Sequence, residues 1–405
     1  MSPLNSQRQI GGLDMATVRA ELQRWPATSA PISRYEYGQR LHRARLLMRE
    51  LGIDAVLITA GASLRYFTGI AWGASERLVG LLITARGNPI VICPTFEVGS
   101  LQCVLRIEAD LRLWEEHESP HALVVQALQE RFAGNLALDP TAAYTVATRL
   151  VDALGERRLT DASAIIDGCR MRKSVAELAL MQQATAMTLY VQRLAAAVLH
   201  EGISNHELVR FIDDGHRTLG ADNGSTFCIV QFGQATAYPH GIPGEQRLQR
   251  DDLVLIDTGC AVQGYNSDIT RCYAFGLPDA QQAKIWSLEQ AAQRAAFEAV
   301  RPGVTCEAVD AAARAVIERV GLGPDYRLPG IPHRTGHGCG LSIHETPYLV
   351  RGNRTVLQSG MCCSNEPMIV VPDHFGIRLE DHFHVTEDGA AWFTEPSPAF
   401  DQPFA

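Results

Sequence analysis

Five residues in the last third of the chain carry side chains that together could bind divalent metal ions: Asp257, Asp268, His337, Glu366 and Glu380. Asp257 follows the apolar run 253–256, Glu366 lies within the mostly apolar run 361–371, and neither run contains a lysine or an arginine. An ionised carboxylate in such a run is costly unless it is neutralised, paired or bound to a metal. Two divalent cations would balance the four carboxylates, and the imidazole of His337 would add a ligand without charge. These residue types predict a two-metal hydrolase.

The first two carboxylates lie eleven residues apart. The residues around them predict a β-hairpin of strands 253–262 and 265–273, and antiparallel pairing would place Asp257 and Asp268 side by side. In the alternative interpretation, Asp257 caps a turn before Gly259 and Asp268 lies on a solvated edge. This pair alone does not decide between the two.

The histidines between the carboxylates are harder to explain structurally. Gly336 and Gly338 flank His337, and His333 and His344 lie within the same twelve residues. Glycines allow close backbone approach and unusual backbone angles, which suits a ligand presented into a crowded site. A single histidine is usually structural or exposed, but three of them beside glycines favour function.

The last two carboxylates differ in how strongly their surroundings in the sequence indicate a functional role. Glu366 is followed by Pro367 inside an apolar run, a position with little structural explanation. Glu380 lies in the segment 378–381, which could equally be an exposed cluster of salt bridges. The remaining histidines nearby fit a solvated or packing position on a strand and are assigned no role: His374, His382 and His384.

Composition sets the general class. The 405 residues, 46% hydrophobic and 20% charged, allow two domains or one large one with a substantial core. The net charge of −9 argues against a nucleic-acid or membrane partner. The ten cysteines include no Cys-x-x-Cys pair and are expected to be reduced and buried. Since no targeting peptide or membrane-length apolar run is recognisable, we expect a cytoplasmic protein.

Periodicity along the chain predicts three parts. Residues 1–32 are expected to form a polar leader and residues 33–167 an α/β domain, and residues 174–405 are expected to form the catalytic domain. Helical and strand patterns alternate in the second part, which contains no phosphate-binding glycine motif. Its predicted helices and strands are 35–51, 54–59, 78–84, 89–93, 120–132, 135–138 and 142–154.

The catalytic part shows signs of an internal duplication. A capping box at Ser174 opens a long helix. The residues Gly202-Ile203-Ser204 and Gly303-Val304-Thr305 then occupy similar positions 101 residues apart. The offset is 104 for His240 and His344, 109 for Asp257 and Glu366, and 112 for Asp268 and Glu380. Two such halves would bring equivalent carboxylates to one central site.

The segments that carry these residues closely resemble the pita-bread metallopeptidases (creatinase, aminopeptidase P and prolidase), and among them the Xaa-Pro dipeptidases. They are LIDTG (255–259), YNSDITR (265–271), GHGCG (336–340), HETP (344–347), NEP (365–367) and RLED (378–381). The resemblance implies an α+β protein with a C-terminal pita-bread catalytic domain of duplicated ααβ-type halves. It also implies an α/β creatinase-like N-terminal domain.

The resemblance implies a metal-binding role for each of the five residues. Asp257 would hold one metal with both oxygens, Asp268 and Glu380 would bridge both metals, and His337 and Glu366 would bind the other. The catalytic residues that it implies, with Glu366 among them as the proton acceptor, are His240, His333, His344, Glu366 and Arg378.

The activity implied is hydrolysis of the bond before proline in Xaa-Pro dipeptides, with a metal-bridging hydroxide as nucleophile. Two divalent ions per subunit are expected, with Mn²⁺ or Zn²⁺ ahead of Co²⁺ or Fe²⁺. A homodimer is also implied, in which the N-terminal domain of one subunit closes the site of the other. Trp72 and Arg77 are candidates for that lid, although a core tryptophan and a surface arginine are the simpler interpretation.

Two alternatives stay open. The same metal site could act on a non-peptide amide or an osmolyte, as a hydrolase or a lyase. Relatives that cleave dimethylsulfoniopropionate carry an additional acidic residue where this chain has Gly259, which disfavours that version. The chain could also be an inactive peptide-binding or protein-binding member, although creatinases lack the metal ligands that are all present here.

Overall fold

The computed structural model describes residues 10–26, 28–155 and 158–404. Pro31–Arg170 forms one compact unit, and Met171–Ala405 forms another together with the N-terminal residues. Residues 1–9 and Ala27 of the predicted leader lie outside the described residues.

The helices that the structure describes are α1 (Met15–Glu21), α2 (Arg34–Leu51), α3 (Ala62–Thr68), α4 (Val98–Val104), α5 (Pro120–Glu130), α6 (Tyr144–Leu154), α7 (Ser163–Arg170), α8 (Val175–Ala197), α9 (Asn205–Leu219), α10 (Ala280–Ala299) and α11 (Cys306–Glu318). The strands are β1 (Ala55–Thr59), β2 (Gly80–Thr84), β3 (Ile90–Pro94), β4 (Asp110–Trp114), β5 (Leu136–Leu138), β6 (Leu159–Asp161), β7 (Ser225–Phe232), β8 (Leu253–Val262), β9 (Tyr265–Asn266), β10 (Ile269–Ala274), β11 (Gly336–Gly338), β12 (Glu345–Leu349), β13 (Cys362–Asn365), β14 (Met368–Val371), β15 (Phe375–Arg378), β16 (Asp381–Val385) and β17 (Ala390–Trp392). None of the described helices has the length and apolar content needed to cross a bilayer.

The unit Pro31–Arg170 is built on one mixed sheet in the order β4-β3-β2-β1-β5-β6. Strand β1 is antiparallel to β2 and parallel to β5. All residues of β1, β2 and β3 are buried, which explains why their apolar runs were recognisable in the sequence. The outermost strands β4 and β6 were not predicted, because their partly exposed residues lack such a run. The α/β prediction for this part is confirmed.

The larger unit begins with the predicted capping box. The Ser174 hydroxyl accepts from Glu177 N–H, and the Glu177 carboxylate accepts from Ser174 N–H. Helix α8 then packs along β8, in a sheet whose order is β10-β8-β7. A second sheet has the order β12-β11-β13-β16-β17, and β14 pairs with β15. Part of the predicted leader packs on α8, because Gly11 N–H donates to Ala196 O at 2.8 Å and Ser29 N–H donates to Gln183 Oε1 at 2.6 Å.

The duplication is visible in matching backbone hydrogen bonds. Gly202 N–H donates to Leu248 O at 2.8 Å, and Gly303 N–H donates to Leu357 O at 3.0 Å. In both halves the leucine that accepts this hydrogen bond lies nine residues before a predicted metal-binding carboxylate. The two halves therefore aim equivalent strands at the same region.

All ten cysteines are free, as expected. Eight are buried, whereas Cys103 is exposed and Cys228 is partly buried, so the expectation of burial is wrong for these two.

His216 on α9 is a buried histidine in the core of the larger unit. Its side chain is 0% exposed, with Nδ1 2.8 Å from Ser225 Oγ and Nε2 3.2 Å from Thr188 Oγ1. Burial lowers its pKa from the usual 6.5 to about 4, although the nearby Asp213 carboxylate opposes this. The folded chain therefore keeps this imidazole neutral at pH values where the unfolded chain protonates it.

We expect this histidine to make the fold acid-sensitive. Its contribution to the free energy of unfolding is complete above pH 6.5 and falls as the pH decreases towards 4, by about 3 kcal/mol in total. The stability advantage of the wild type over His216→Gln should therefore shrink by that amount between pH 7.5 and 4 in urea unfolding. The exposed His206 on the same helix provides the control, His206→Gln. Parallel stability curves for the wild type and His216→Gln would contradict the prediction.

Candidate metal centre

The fold brings the predicted metal-binding residues together from both sheets. Asp257 lies on β8, Asp268 directly precedes β10, His337 lies on β11, Glu366 follows β13 and Glu380 directly precedes β16. His337 Nε2 lies 3.1 Å from Glu366 Oε1 and 3.7 Å from Asp268 Oδ2. Ligand atoms of His337, Glu366 and Glu380 all lie within 4.8 Å of one another. Four of the five residues are buried and Glu366 is partly buried.

The predicted hairpin exists but is interrupted at its metal-site end. Thr270 is the direct partner of Asp257, so Asp268 lies just beyond the end of β10 and not directly opposite Asp257. Backbones approach closely here, because a Cβ atom at Gly259 would lie 1.9 Å from Ser267 O. No side chain fits at position 259 without moving this backbone.

Asp257 has a basic partner, which was not expected from its own apolar run. Arg378, at the end of β15, donates from Nη2 to Asp257 Oδ2 and from Nη1 to Pro239 O at 3.1 Å. The lack of a basic residue in its own apolar run therefore did not mean that Asp257 has no basic partner. The partner was hidden because it comes from a strand more than a hundred residues away in sequence.

Arg378 also acts on Glu380 through a residue that was not predicted. Its Nε donates to Thr270 Oγ1 at 2.9 Å, and Thr270 Oγ1 donates to Glu380 Oε2 at 2.7 Å. A signal for Thr270 was present, since it follows Asp268 by two residues, directly before Arg271 in the recognised segment. This chain of hydrogen bonds fixes Oε2 of Glu380, whereas Oε1 has no hydrogen-bond partner in the part of the chain that the structure describes.

The glycines around His337 serve close packing. A Cβ atom would lie 2.1 Å from Ser364 O at Gly336 and 2.4 Å from Thr346 O at Gly338. Neither glycine has a positive φ, so the expected close approach is present and the expected unusual backbone angles are not. Strand β11 can therefore lie between its neighbours only if these positions lack side chains.

The hydrogen bonding of His337 defines which nitrogen faces the cluster. Its Nδ1 lies 3.0 Å from Gly338 O, a contact that requires the N–H on Nδ1. Nε2 then directs a lone pair at the carboxylates of Glu366 and Asp268 in the neutral ring. A backbone carbonyl that orients a histidine in this way is the usual environment of a metal ligand.

Burial and mutual repulsion change the pKa values of the four carboxyl groups. Burial raises the pKa of Asp268 and of Glu380 well above their usual values, and the neighbouring carboxylates add to this effect. Burial also raises the pKa of Asp257, with Arg378 opposing it. For Glu366, burial raises the pKa, but His337, His333 and Arg378 together outweigh burial and lower it overall. Full ionisation of all four carboxyl groups would therefore leave more negative charge than the neighbouring residues neutralise.

The residues present fit divalent ions. Three buried carboxylate oxygens have no hydrogen-bond partner among the described residues: Asp257 Oδ1, Asp268 Oδ1 and Glu380 Oε1. Unpaired buried oxygens are costly, and a bound cation would satisfy them. Carboxylates and one imidazole form a donor set that accepts Mn²⁺, Zn²⁺, Co²⁺ or Fe²⁺.

The predicted catalytic histidines border the same cluster. The exposed ring of His344 lies 4.0 Å from the ring of His337, and burial together with His337 lowers its pKa to about 4. The next residue, Glu345, accepts from Lys173 Nζ at 2.6 Å, a buried ion pair that was not predicted. His240 is exposed and is near enough to lower the pKa of His344 by its charge.

His333 is held in a defined orientation. Its Nδ1 lies 2.7 Å from Arg334 O, which requires the N–H on Nδ1, and Arg314 Nη2 donates to His333 O at 2.6 Å. His333 Nε2 is buried and has no hydrogen-bond partner in the described part of the chain. Burial lowers the pKa of His333, so the neutral ring offers Nε2 as an acceptor.

Known families match both parts of the chain. The model of metallopeptidase family M24 matches residues 179–387, which include all five predicted metal ligands. The chain belongs to metallopeptidase family M24. The model of the creatinase/prolidase N-terminal domain matches residues 40–172. These matches confirm the resemblance and the pita-bread fold inferred from the sequence. Members of the M24 family use divalent metal ions.

Relatives in the M24 family match along most of their length. The putative dipeptidase YkvY of Bacillus subtilis is 34% identical over 88% of this chain and 97% of its own. A Xaa-Pro dipeptidase of Lactobacillus helveticus is 30% identical over 87% of this chain and 96% of its own. The crystal structure of dipeptidase PepE from Mycobacterium ulcerans superposes with a TM-score of 0.82 at 35% identity, over 90% of this chain and 97% of that one.

The close packing around Gly336 can be tested by adding a methyl group at this position. Gly336→Ala should lower the free energy of unfolding by about 3 kcal/mol or more, because its Cβ would displace β11 from β13. Gly389→Ala is the matched control, since its Cβ would meet only Thr386 Oγ1 at 3.9 Å, and it should change stability by less than about 0.5 kcal/mol. Equal urea unfolding midpoints for the two variants would refute the packing argument.

Proposed function

We propose that the protein is a dinuclear-metal-dependent dipeptidase that hydrolyses the bond before proline in Xaa-Pro dipeptides. The observation that carries the proposal is the cluster of Asp268, Glu366 and Glu380 around His337, with Asp257 beside Asp268 and Glu366. Three buried oxygens of these carboxylates have no hydrogen-bond partner among the described residues. The name of the Lactobacillus helveticus relative supports the proline preference, and that of the Bacillus subtilis relative supports dipeptide cleavage.

In this proposal, two divalent ions are held by Asp257, Asp268, His337, Glu366 and Glu380. When bound, such ions polarise a carbonyl oxygen and lower the pKa of a coordinated water. Mn²⁺ or Zn²⁺ is the expected metal, with Co²⁺ or Fe²⁺ as alternatives. The homodimer implied by the resemblance is part of the same proposal.

Glu366 is the group that moves the proton. A glutamate carboxylate is ionised at neutral pH, so an oxygen of Glu366 could accept the proton of the attacking water. The same carboxyl group can then donate the proton to the proline nitrogen as that nitrogen leaves. The Ser364 hydroxyl donates to Glu366 Oε1 at 3.1 Å and so holds the carboxylate in place.

The histidines have different hydrogen-bonding roles towards the substrate: one donates and another accepts. His344 is exposed and, with a pKa of about 4, is neutral at pH 7, so its N–H can donate to the oxyanion that develops on the scissile carbonyl. His333 Nε2, as an acceptor, can receive an N–H of the substrate. The exposed His240 follows Pro239, whose carbonyl accepts from Arg378. His240 would also contact the substrate.

A substrate series tests the whole proposal. The chelated protein should hydrolyse Ala-Pro at least about 100-fold more slowly than the Mn²⁺- or Zn²⁺-loaded protein, a difference of ~2.7 kcal/mol in activation free energy. Initial rates on Ala-Pro, Ala-Ala, longer Xaa-Pro peptides and non-peptide amides then define specificity. Equal rates with and without metal would reject the mechanism, and turnover confined to non-peptide amides would reject the substrate.

The role of His344 predicts a loss in kcat without a loss of metal. His344→Phe should reduce kcat about 10²–10³-fold, because an oxyanion donor acts only in the transition state. Metal content, measured by elemental analysis, should match the wild type. The exposed His374 supplies a control, His374→Phe, which should leave kcat unchanged. If metal content falls together with kcat, His344 is a metal ligand and the assignment is wrong.

A further inference from the structure

His382 is a buried histidine beside the proposed metal centre. The sequence assigns it no role, and the proposed mechanism does not include it. It lies on β16, two residues after Glu380, and its side chain is 0% exposed. Both ring nitrogens lack a hydrogen-bond partner among the residues that the structure describes. A neutral imidazole has one donor and one acceptor, and leaving both unpaired in the interior costs free energy. A buried histidine of this kind needs a partner.

The groups within reach of His382 belong to the proposed metal site. A ring nitrogen of His382 and carboxylate oxygens of Asp268 and Glu380 all lie within 4.8 Å of one another. Asp268 Oδ1 and Glu380 Oε1 also lack a hydrogen-bond partner among the described residues, whereas Glu380 Oε2 already accepts from Thr270. His344, which is near Asp268 too, is exposed and can meet a substrate. His382 is fully buried, and the polar groups grouped with its ring are the carboxylates of Asp268 and Glu380.

The internal duplication indicates which carboxylate His382 serves. Thr270 follows Asp268 by two residues, and His382 follows Glu380 by two, so the two residues occupy equivalent places in the two halves. Thr270 donates to Glu380, the carboxylate of the opposite half, at 2.7 Å. By the same relation between the halves, the group that His382 would serve is the carboxylate of Asp268, which lies within 4.8 Å of its ring nitrogen.

We propose that His382 is a positioning residue whose neutral imidazole donates a hydrogen bond to Asp268 and thereby orients that carboxylate towards the divalent ion. Hydrogen-bond donors behind a ligating carboxylate commonly change metal affinity 10–100-fold. The inference rests on the proposed function, because it requires that Asp268 binds an ion.

The duplication also supplies the test. His382→Thr places at position 382 the same hydroxyl donor that Thr270 provides in the other half. His382→Val has nearly the shape of the Thr variant but lacks a hydrogen-bond donor. We expect His382→Val to weaken Mn²⁺ binding about 10–100-fold in calorimetric titrations, and His382→Thr to stay within about threefold of the wild type. The two metal-free variants should unfold at similar temperatures, since both leave a similar cavity.

His384 provides the control for a histidine on the same strand. It is partly buried, and its ring lies 5.2 Å from that of Phe393, which His382 also contacts at 6.4 Å. His384→Val should therefore bind Mn²⁺ like the wild type. Pulsed EPR of the Mn²⁺-loaded wild type should detect one coordinated imidazole, that of His337, and the same signal should appear in His382→Thr.

The outcomes separate this inference from the proposed function. Equal Mn²⁺ affinities for the Thr and Val variants would overturn the role of His382, and so would a second coordinated imidazole that both variants lose. If the Val variant does not fold, the Zn²⁺-loaded wild type decides by NMR. A slowly exchanging imidazole N–H absent from His382→Thr supports the inference, and its absence from the wild type overturns it. A wild type that binds neither Mn²⁺ nor Zn²⁺ would instead defeat the proposed function.

Discussion

Repulsion between four carboxylates gathered around one imidazole is the constraint on which the catalytic unit depends. Burial and mutual proximity raise the pKa values of Asp268 and Glu380, so the bare cluster cannot be fully ionised. The fold opposes this repulsion with fixed partners, namely Arg378 on Asp257 and Thr270 on Glu380. What remains unpaired is a set of oxygens suited to cations of small radius and double charge.

The two halves of the catalytic unit explain how such an unfavourable cluster can be assembled. In each half a leucine hydrogen-bonds to the glycine segment that precedes the second helix, at Leu248 and Leu357. A carboxylate of the cluster follows nine residues after each leucine. Glycines at positions 259, 336 and 338 let the carrying strands approach within distances that any side chain would prevent. Helices α8 to α11, with the cores they bury, provide the free energy that holds the charges together.

The fold and the ligand set could be predicted because they leave local signals. Apolar runs marked the buried strands, the Ser174 capping box marked α8, and the offsets between carboxylates marked the duplication. Partners from distant strands left no local signal, which is why Arg378 was not recognised as the partner of Asp257. The register that places Thr270 opposite Asp257 depends on backbone packing around Gly259 and is visible only in three dimensions.

The Arg378–Asp257 pair has a consequence for the life of the polypeptide before it is loaded. Because one positive charge is built into the chain, the newly made protein does not face the full cost of a bare anionic cavity. Assembly of this region therefore does not have to draw on bound cations alone for its charge balance.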